Sequence, residues 1–96
     1  MATVNVKVPL HQSGQPHRFD PEEVTIQAGD TVIWTNEDTS SHTVSPEDGS
    51  SFPEGSLDTQ GATYSNQFST EGEYPYFCQF HGSMTGKVTV VPASAG

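Results

Sequence analysis

The chain has 96 residues, of which 31% are hydrophobic, and its 12 acidic side chains against 3 Lys and Arg give a formal net charge of -9. This length suits one small domain with a modest core. The scarcity of Lys and Arg argues against nucleic acid as a partner, because phosphate binding needs clustered cations. The single cysteine excludes an internal disulfide and any site built from paired thiolates.

The amino terminus carries no recognisable export leader. Met1 to Lys7 lacks a cationic stretch followed by an apolar one, and no apolar run in the chain is long enough to span a bilayer. A lone thiol is a liability in a secreted protein unless something holds it. We expect a mature periplasmic or otherwise extracytoplasmic protein whose signal has been replaced by Met1; a cytosolic origin is the alternative.

The first predicted strand contains Val4, Val6 and Val8, which alternate with polar residues and have the period of a half-buried strand. From Leu10 to Pro21 the composition indicates a connection, with Phe19 contacting the core. His11 and His17 lie in this connection. We interpret them as solvated loop histidines, because nothing nearby offers sulfur or a carboxylate cluster at ligand spacing; a second metal site is the alternative.

The next alternating segment, Val24 to Ala28, is followed by Gly29-Asp30 and a run of β-branched residues from Thr31 to Thr35. This pattern predicts a hairpin. Trp34 is most simply a core residue, and a role as electron relay is the alternative.

The stretch from Ser45 to Gly61 is the least regular and carries four acids, Glu47, Asp48, Glu54 and Asp58. We interpret it as a solvated crossover between two sheets. Further strands are predicted at 63–68, 74–77 and 86–91. With about seven or eight short strands, the chain is predicted to be an all-β sandwich. We expect one domain over 1–96, with a core at about 3–91 and a flexible tail at 92–96.

A chemically distinctive segment runs from Cys78 to Met84, where a thiol, the His81 imidazole and a thioether fall within one short loop. A Cys with two His and a weak axial Met is the ligand set of an electron-transfer copper site. His42, which follows the strand containing Trp34, is the expected second imidazole. The predicted copper ligands are His42, Cys78, His81 and Met84. The plain alternative is a buried Cys, a gap-filling Met and a polar loop His.

On these residues the chain resembles the cupredoxins, and within them the small amicyanin and plastocyanin-like proteins. The resemblance runs from about Val24 to Val91, and its most specific segments are 28–34, 42–44 and 72–90. It implies a Greek-key β-sandwich with one type 1 (blue) copper ion that alternates between Cu(I) and Cu(II).

Two residues depart from the family pattern. Thr43 stands where many relatives have an Asn that ties the ligand loops together, and its hydroxyl is expected to bridge with fewer hydrogen bonds. Phe80 stands where many relatives have Pro, so a backbone constraint is lost.

The resemblance implies a soluble, monomeric one-electron carrier between redox proteins, with His42 buried and His81 as the electron port. Phe80, Phe52 and Pro53 are expected to form an apolar rim for a partner. The acids of the 45–61 stretch would offer a docking surface to a basic partner. A copper-trafficking protein without redox turnover is the alternative function. The copper enzymes that share this domain type need ligands and domains that 96 residues do not provide.

Overall fold

The computed structural model describes residues 2–93 and places eight strands in them. No helix occurs in this part of the chain, and so none that is long and apolar enough to cross a membrane. In chain order the strands are β1 (Thr3–Val8), β2 (Glu23–Gln27), β3 (Thr31–Asn36), β4 (His42–Pro46), β5 (Gly55–Leu57), β6 (Thr63–Gln67), β7 (Gly72–Cys78) and β8 (His81–Val91).

The strands form two sheets that face each other. One sheet has the order β1-β3-β6 and the other the order β2-β8-β7-β4-β5. The pairs β1/β3 and β2/β8 are parallel, and the remaining neighbours are antiparallel. The predicted all-β sandwich of seven or eight strands is confirmed.

The hairpin predicted from β2 and β3 is wrong, because these strands belong to different sheets. The turn at Gly29, whose φ is 98°, carries the chain across the sandwich instead of back along one sheet. Alternation sets which side chains point inward but not which strand pairs with which. With the two strands in opposite sheets, Ile26 and Trp34 both contribute to the interior, where they are 3% and 0% exposed.

The core is rich in aromatic rings packed around Trp34, as expected of a core residue. Its ring centroid lies 5.5 Å from that of Tyr64 and 5.4 Å from that of Tyr76, the latter in an edge-to-face contact. Phe19 is 1% exposed and packs edge-to-face on Tyr76, which confirms that the long connection is fixed to the core by this residue. Edge-to-face pairs add to the free energy gained from burial alone.

The stretch from Ser45 to Gly61 is more ordered than predicted. It contains the end of β4 and the short strand β5, which pairs with β4. Phe52 is 6% exposed and packs against Phe68 and Tyr74, so its predicted place in an apolar rim beside the metal site is wrong. Phe52 lies between Ser51 and Pro53 in an irregular stretch, which shows no periodicity from which its burial could be predicted.

Two predictions concern the ends of the chain. Residues 94–96 of the tail predicted at 92–96, and Met1, lie outside the described residues. The assignment of the whole chain to one domain stays a prediction.

Candidate metal centre

The β7–β8 hairpin brings the thiol and one imidazole together. Cys78 ends β7 and His81 begins β8, and the two residues are paired across a two-residue turn. The register shifts between Phe77 and Cys78, which marks an irregularity at the end of the strand. Strand β8 therefore starts at His81, five residues before the strand predicted from Gly86.

His42, the first residue of β4, reaches the same point from another part of the chain. Strand β4 runs antiparallel to β7, with Ser45 opposite Phe77, so that His42 lies beside the end of β7. Its Nδ1 atom is 3.6 Å from Cys78 Sγ, and His81 Nδ1 is also 3.6 Å from that sulfur. His42 and Cys78 are 0% exposed, whereas His81 is partly exposed.

These nitrogen–sulfur distances fit a metal ion placed between the three atoms. Bonds of about 2.0 Å to nitrogen and about 2.3 Å to sulfur, set about 120° apart, would separate N and S by about 3.7 Å. The structure gives 3.6 Å for both pairs. Both nitrogen–sulfur distances therefore match those expected of a trigonal site with two imidazoles and one thiolate.

Met84 lies in β8, where every second residue points inward. Met84, Gly86, Val88 and Val90 are buried and alternate with more exposed residues. Met84 is 1% exposed and belongs to the same core cluster as Cys78. The strand period thus directs the thioether to the interior side of the sheet, as it does the thiol on β7.

Asp38 determines which nitrogen of His42 is free. The carboxylate is 1% exposed, and its Oδ2 lies 2.8 Å from His42 Nε2. A proton on Nε2 leaves the Nδ1 lone pair directed at the Cys78 side, which is the tautomer that a metal ligand needs. Burial opposes ionisation of Asp38, but hydrogen bonds from His42 and from two backbone N–H groups outweigh it and hold its pKa well below the ordinary value.

Thr43 ties the two ligand segments together, as expected of its hydroxyl. Its backbone N–H donates to Cys78 Sγ at 3.4 Å, and its Oγ1 accepts the Gln79 backbone N–H at 2.9 Å. Hydrogen bonds to a ligand sulfur stabilise the thiolate and tune a metal site. The bridge comes from one hydroxyl and one amide, so β4 and the β7–β8 turn are held in a fixed relation.

The interpretation of His17 as a solvated loop residue is wrong. Its side chain is 20% exposed, its Nδ1 lies 3.2 Å from Asp38 Oδ2, and its ring centroid lies 3.9 Å from that of His81. His11 remains exposed but stacks on the outer face of His17 at 4.0 Å. Ring nitrogens of His17, His42 and His81 lie within 4.8 Å of one another.

Asp38 and His17 were not predicted as part of the site. Each comes from an irregular connection whose path only the packed structure fixes, so the sequence gives little that relates it to the predicted ligands. The one signal in the sequence is that Asp38 lies four residues before His42, in the loop that leads to it, which places an acid near a predicted ligand.

The environment of His81 favours its neutral form. Burial, followed by the neighbouring His17 and His42 imidazoles, lowers the pKa of His81 below its ordinary value. A metal ion competes with protons for imidazole nitrogen, so a lowered pKa favours metal binding near neutral pH.

Sequence comparison finds relatives among the plastocyanins and the amicyanins. The chain is 39% identical over 84 residues to the chloroplastic plastocyanin of Tetradesmus obliquus, covering 75% of this chain and 57% of that protein. It is 38% identical over 76 residues to amicyanin-alpha of Methylorubrum extorquens, covering 76% of this chain and 64% of the relative. The chain thus spans about three fifths of the length of each of these two relatives.

Comparison with solved structures finds a related fold. A purple cupredoxin from Nitrosopumilus maritimus superposes with a TM-score of 0.80 and 26% identity, covering 92% of this chain and 99% of that one. The model of the family described as copper binding proteins, plastocyanin/azurin family, matches residues 4–91 and so includes every strand from β2 to β8. On this match the chain belongs to the plastocyanin/azurin family of copper-binding proteins.

Proposed function

We propose that this protein is a one-electron carrier whose single type 1 copper ion is held by His42, Cys78 and His81, with Met84 as the weak axial ligand. The observation that carries the proposal is the matched pair of Nδ1–Sγ distances of 3.6 Å, one from each imidazole to the same sulfur. Copper supplies the Cu(I)/Cu(II) couple when bound, and the protein supplies a donor set that is already in place.

Rapid electron transfer requires ligands that move little between the two oxidation states. His42 is held from behind by the buried Asp38 carboxylate, and Cys78 receives the Thr43 N–H. The residues that make these two contacts are all buried, so water does not compete for the hydrogen bonds. The protein therefore resists the rearrangement that a change of copper charge would otherwise cause.

The thioether favours copper over zinc as the physiological metal. Zinc is bound by Cys, His and carboxylate, and soft sulfur ligands select Cu(I). The proposed site has one thiolate and one thioether on its interior side. Zinc found in the purified protein would reflect availability during expression.

His81 is the proposed route for electrons to and from the surface. His42 is 0% exposed, whereas His81 is partly exposed and the adjacent Phe80 side chain is 60% exposed. A partner that covers Phe80 would approach the ligand ring closely. The net charge of -9 favours redox proteins with a basic surface, because opposite charges accelerate encounter.

We also propose that the protein acts as a monomer outside the cytoplasm. The location rests on similarity to the chloroplastic plastocyanin and to the amicyanins. Gel filtration with light scattering and fractionation of the source cells would test these two statements. A stable dimer, or recovery from the cytosolic fraction, would contradict them.

Anaerobic titration of the reduced apoprotein with copper tests the proposal. We expect one copper per chain, an intense charge-transfer band near ~600 nm, the narrow copper hyperfine splitting of a type 1 site and a reversible one-electron wave. A colourless product would refute the type 1 site. Tight copper binding without a reversible wave would instead assign the protein to copper delivery or storage.

The basic partner is tested separately by the salt dependence of the electron-transfer rate. With a cationic redox protein the rate should fall as ionic strength rises, since the Debye length shortens to about 8 Å at 0.15 M salt. A rate that is independent of salt would refute electrostatic docking and leave the copper site untouched.

A further inference from the structure

Three histidine rings pack in a row that ends at His81, the partly exposed residue of the proposed copper ligands. The outer pair, His11 and His17, lies with centroids 4.0 Å apart and an interplanar angle of 15°. The inner pair, His17 and His81, lies with centroids 3.9 Å apart and an angle of 32°. His17 therefore covers a face of the His81 ring, and His11 covers His17 in turn.

One carboxylate fixes the middle ring of this stack. Asp38 Oδ2 lies 2.8 Å from His42 Nε2 and 3.2 Å from His17 Nδ1. Its Oδ1 accepts the backbone N–H groups of His11 at 3.0 Å and Thr39 at 2.8 Å. With four donors around it, Asp38 cannot shift without loss of several hydrogen bonds, so His17 is held at a defined height above His81.

The two ligand imidazoles differ in what restrains them. His42 has Cys78 on one side and a hydrogen bond to Asp38 on the other. The His81 ring nitrogens, among residues 2–93, make a hydrogen-bonding contact only with Cys78 Sγ, and His81 is the more exposed of the two. In place of such a hydrogen bond, His81 has the His17 ring packed on its face at 3.9 Å, closer than the His42 ring at 4.9 Å.

We propose that His17 is a positioning residue for His81, and that it holds the plane of this ring through the His17–Asp38 contact in both oxidation states of the bound copper. The inference rests on the proposed function, because the effect on electron transfer requires bound copper. The ring contact itself exists without metal. In this proposal the connection between β1 and β2, which carries His17, contributes to the metal centre. Asp38 then supports both imidazoles, His42 directly and His81 through His17.

His17 does not act as a further metal ligand in this assignment. Among residues 2–93 the His17 ring nitrogens make no hydrogen-bonding contact with Cys78 Sγ, whereas the Nδ1 atoms of His42 and His81 both lie 3.6 Å from it. The His17 ring lies near the metal position because it packs on the His81 ring, and the thiolate completes the donor set.

The metal-free protein provides the first test. Ring-to-ring nuclear Overhauser effects between His17 and His81, and an upfield ring-current shift of the His81 ring protons that disappears in His17→Ala, are expected. This measurement does not depend on copper, so it can fail while the copper site stands, or succeed if copper binds differently. Absence of the contact would overturn the inference.

The copper-loaded protein provides the second test, with three variants. His17→Ala removes both the ring and the hydrogen bond, His17→Phe keeps a planar ring on His81, and His11→Ala removes only the exposed outer ring. For His17→Ala we expect an electron self-exchange rate about tenfold lower, as typical of lost support around a metal ligand. Its copper hyperfine splitting should change, and the His81 ring resonances of the Cu(I) form should broaden.

The variants separate the possible causes. His17→Phe keeps the ring but loses the hydrogen bond to Asp38, so it should recover only part of the self-exchange rate, and His11→Ala should match the wild type. A His17→Ala protein with wild-type spectrum and rate would overturn the proposal. So would a His17→Phe protein as slow as His17→Ala, because the ring contact would then not be the restraint. If the wild-type protein itself lacks the type 1 spectrum, the proposed function fails, and the ring contact is judged by the metal-free measurement alone.

Discussion

The two ends of this sandwich are stabilised by different kinds of contact. At the metal end, around His42 and Cys78, buried polar groups are joined by directional hydrogen bonds. At the opposite end, around the Gly29 turn, aromatic rings fill the space between the sheets. The buried polar groups at the metal end are Asn36, Asp38, His42, Thr43 and Ser45, and the aromatic cluster that extends toward the other end contains Trp34, Phe52, Phe68 and Tyr74.

Because of this difference, one end of the sandwich contributes mainly to folding stability and the other mainly to the geometry of the metal site. Apolar packing contributes most of the free energy of folding but tolerates small displacements. Hydrogen bonds contribute less net free energy and fix position and tautomer more strictly. We therefore expect substitutions at the metal end to alter the copper site in a folded protein, and substitutions in the aromatic cluster to unfold a protein whose site is normal.

The largest effect is expected from Cys78→Ser. A hydroxyl is a poor substitute for thiolate, so the charge-transfer band should be lost completely, while the metal-free protein should stay folded. Visible absorption after addition of copper and far-ultraviolet circular dichroism of the apoprotein measure the two parts. An intense visible band that survives the substitution would show that the colour arises elsewhere.

The opposite result is expected from Phe52→Ala. Removal of a buried aromatic ring should lower the free energy of unfolding by about 3–5 kcal/mol. Phe80→Ala is the matched control, since Phe80 is 60% exposed and its truncation should change stability by less than about 0.5 kcal/mol. Urea unfolding of the apoproteins, followed by Trp34 fluorescence, provides the measurement.

The copper spectrum completes this comparison. Below its unfolding temperature, Phe52→Ala loaded with copper should keep the band position of the wild type. Equal losses of stability in the two Phe variants, or a shifted band in Phe52→Ala, would contradict the division between the two ends.

The same division explains how much of the molecule could be predicted from its sequence. The fold class and the approximate positions of most strands followed from alternation, as in Val4 to Val8, because the period of two is a local property. Strand β5 and the first five residues of β8 were missed. The proposed ligand residues came from chemistry, since few structures need Cys78, His81 and Met84 so close together. The cupredoxin resemblance supplied the fold that brings His42 to them.

The contacts that support the site could not be predicted in this way. Asp38, His17 and Phe52 lie in irregular connections, and their neighbours are set by tertiary packing. The pairing of β2 with β8 was also missed, because a turn such as Gly29-Asp30 can join strands of one sheet or of two. Local patterns give the direction of a side chain but not its long-range partner.

A smaller effect is expected from Thr43→Val, which keeps the shape of the side chain and removes the hydroxyl. The Gln79 N–H loses its acceptor, and we expect a loss of about 1 kcal/mol in the stability of the apoprotein. Thr43→Ser keeps the hydroxyl and is the control. Thermal unfolding of both variants measures the difference, and equal stability of Val and Ser variants would argue against the bridge.

The smallest effect is expected at the other end, from Asp30→Asn. The Asp30 carboxylate accepts the backbone N–H groups of Ala2 and Gln27, and these hydrogen bonds lower its pKa below the ordinary value. A carboxylate whose pKa is lowered by folding stabilises the folded state above its unfolded pKa of about 3.9 and loses that contribution as the pH falls. Asp30→Asn should therefore have a lower Tm than the wild type at pH 7, and the gap should close toward pH 3.

Asp58→Asn is the control for that pH series, because Asp58 is exposed and its carboxylate makes no hydrogen bond with residues 2–93. Its Tm should stay close to that of the wild type throughout. A gap for Asp30→Asn that is constant from pH 7 to pH 3 would mean that shape, and not charge, matters at this turn. Closure of the gap would show that the aromatic end also relies on one charged contact, at the point where the chain passes from one sheet to the other.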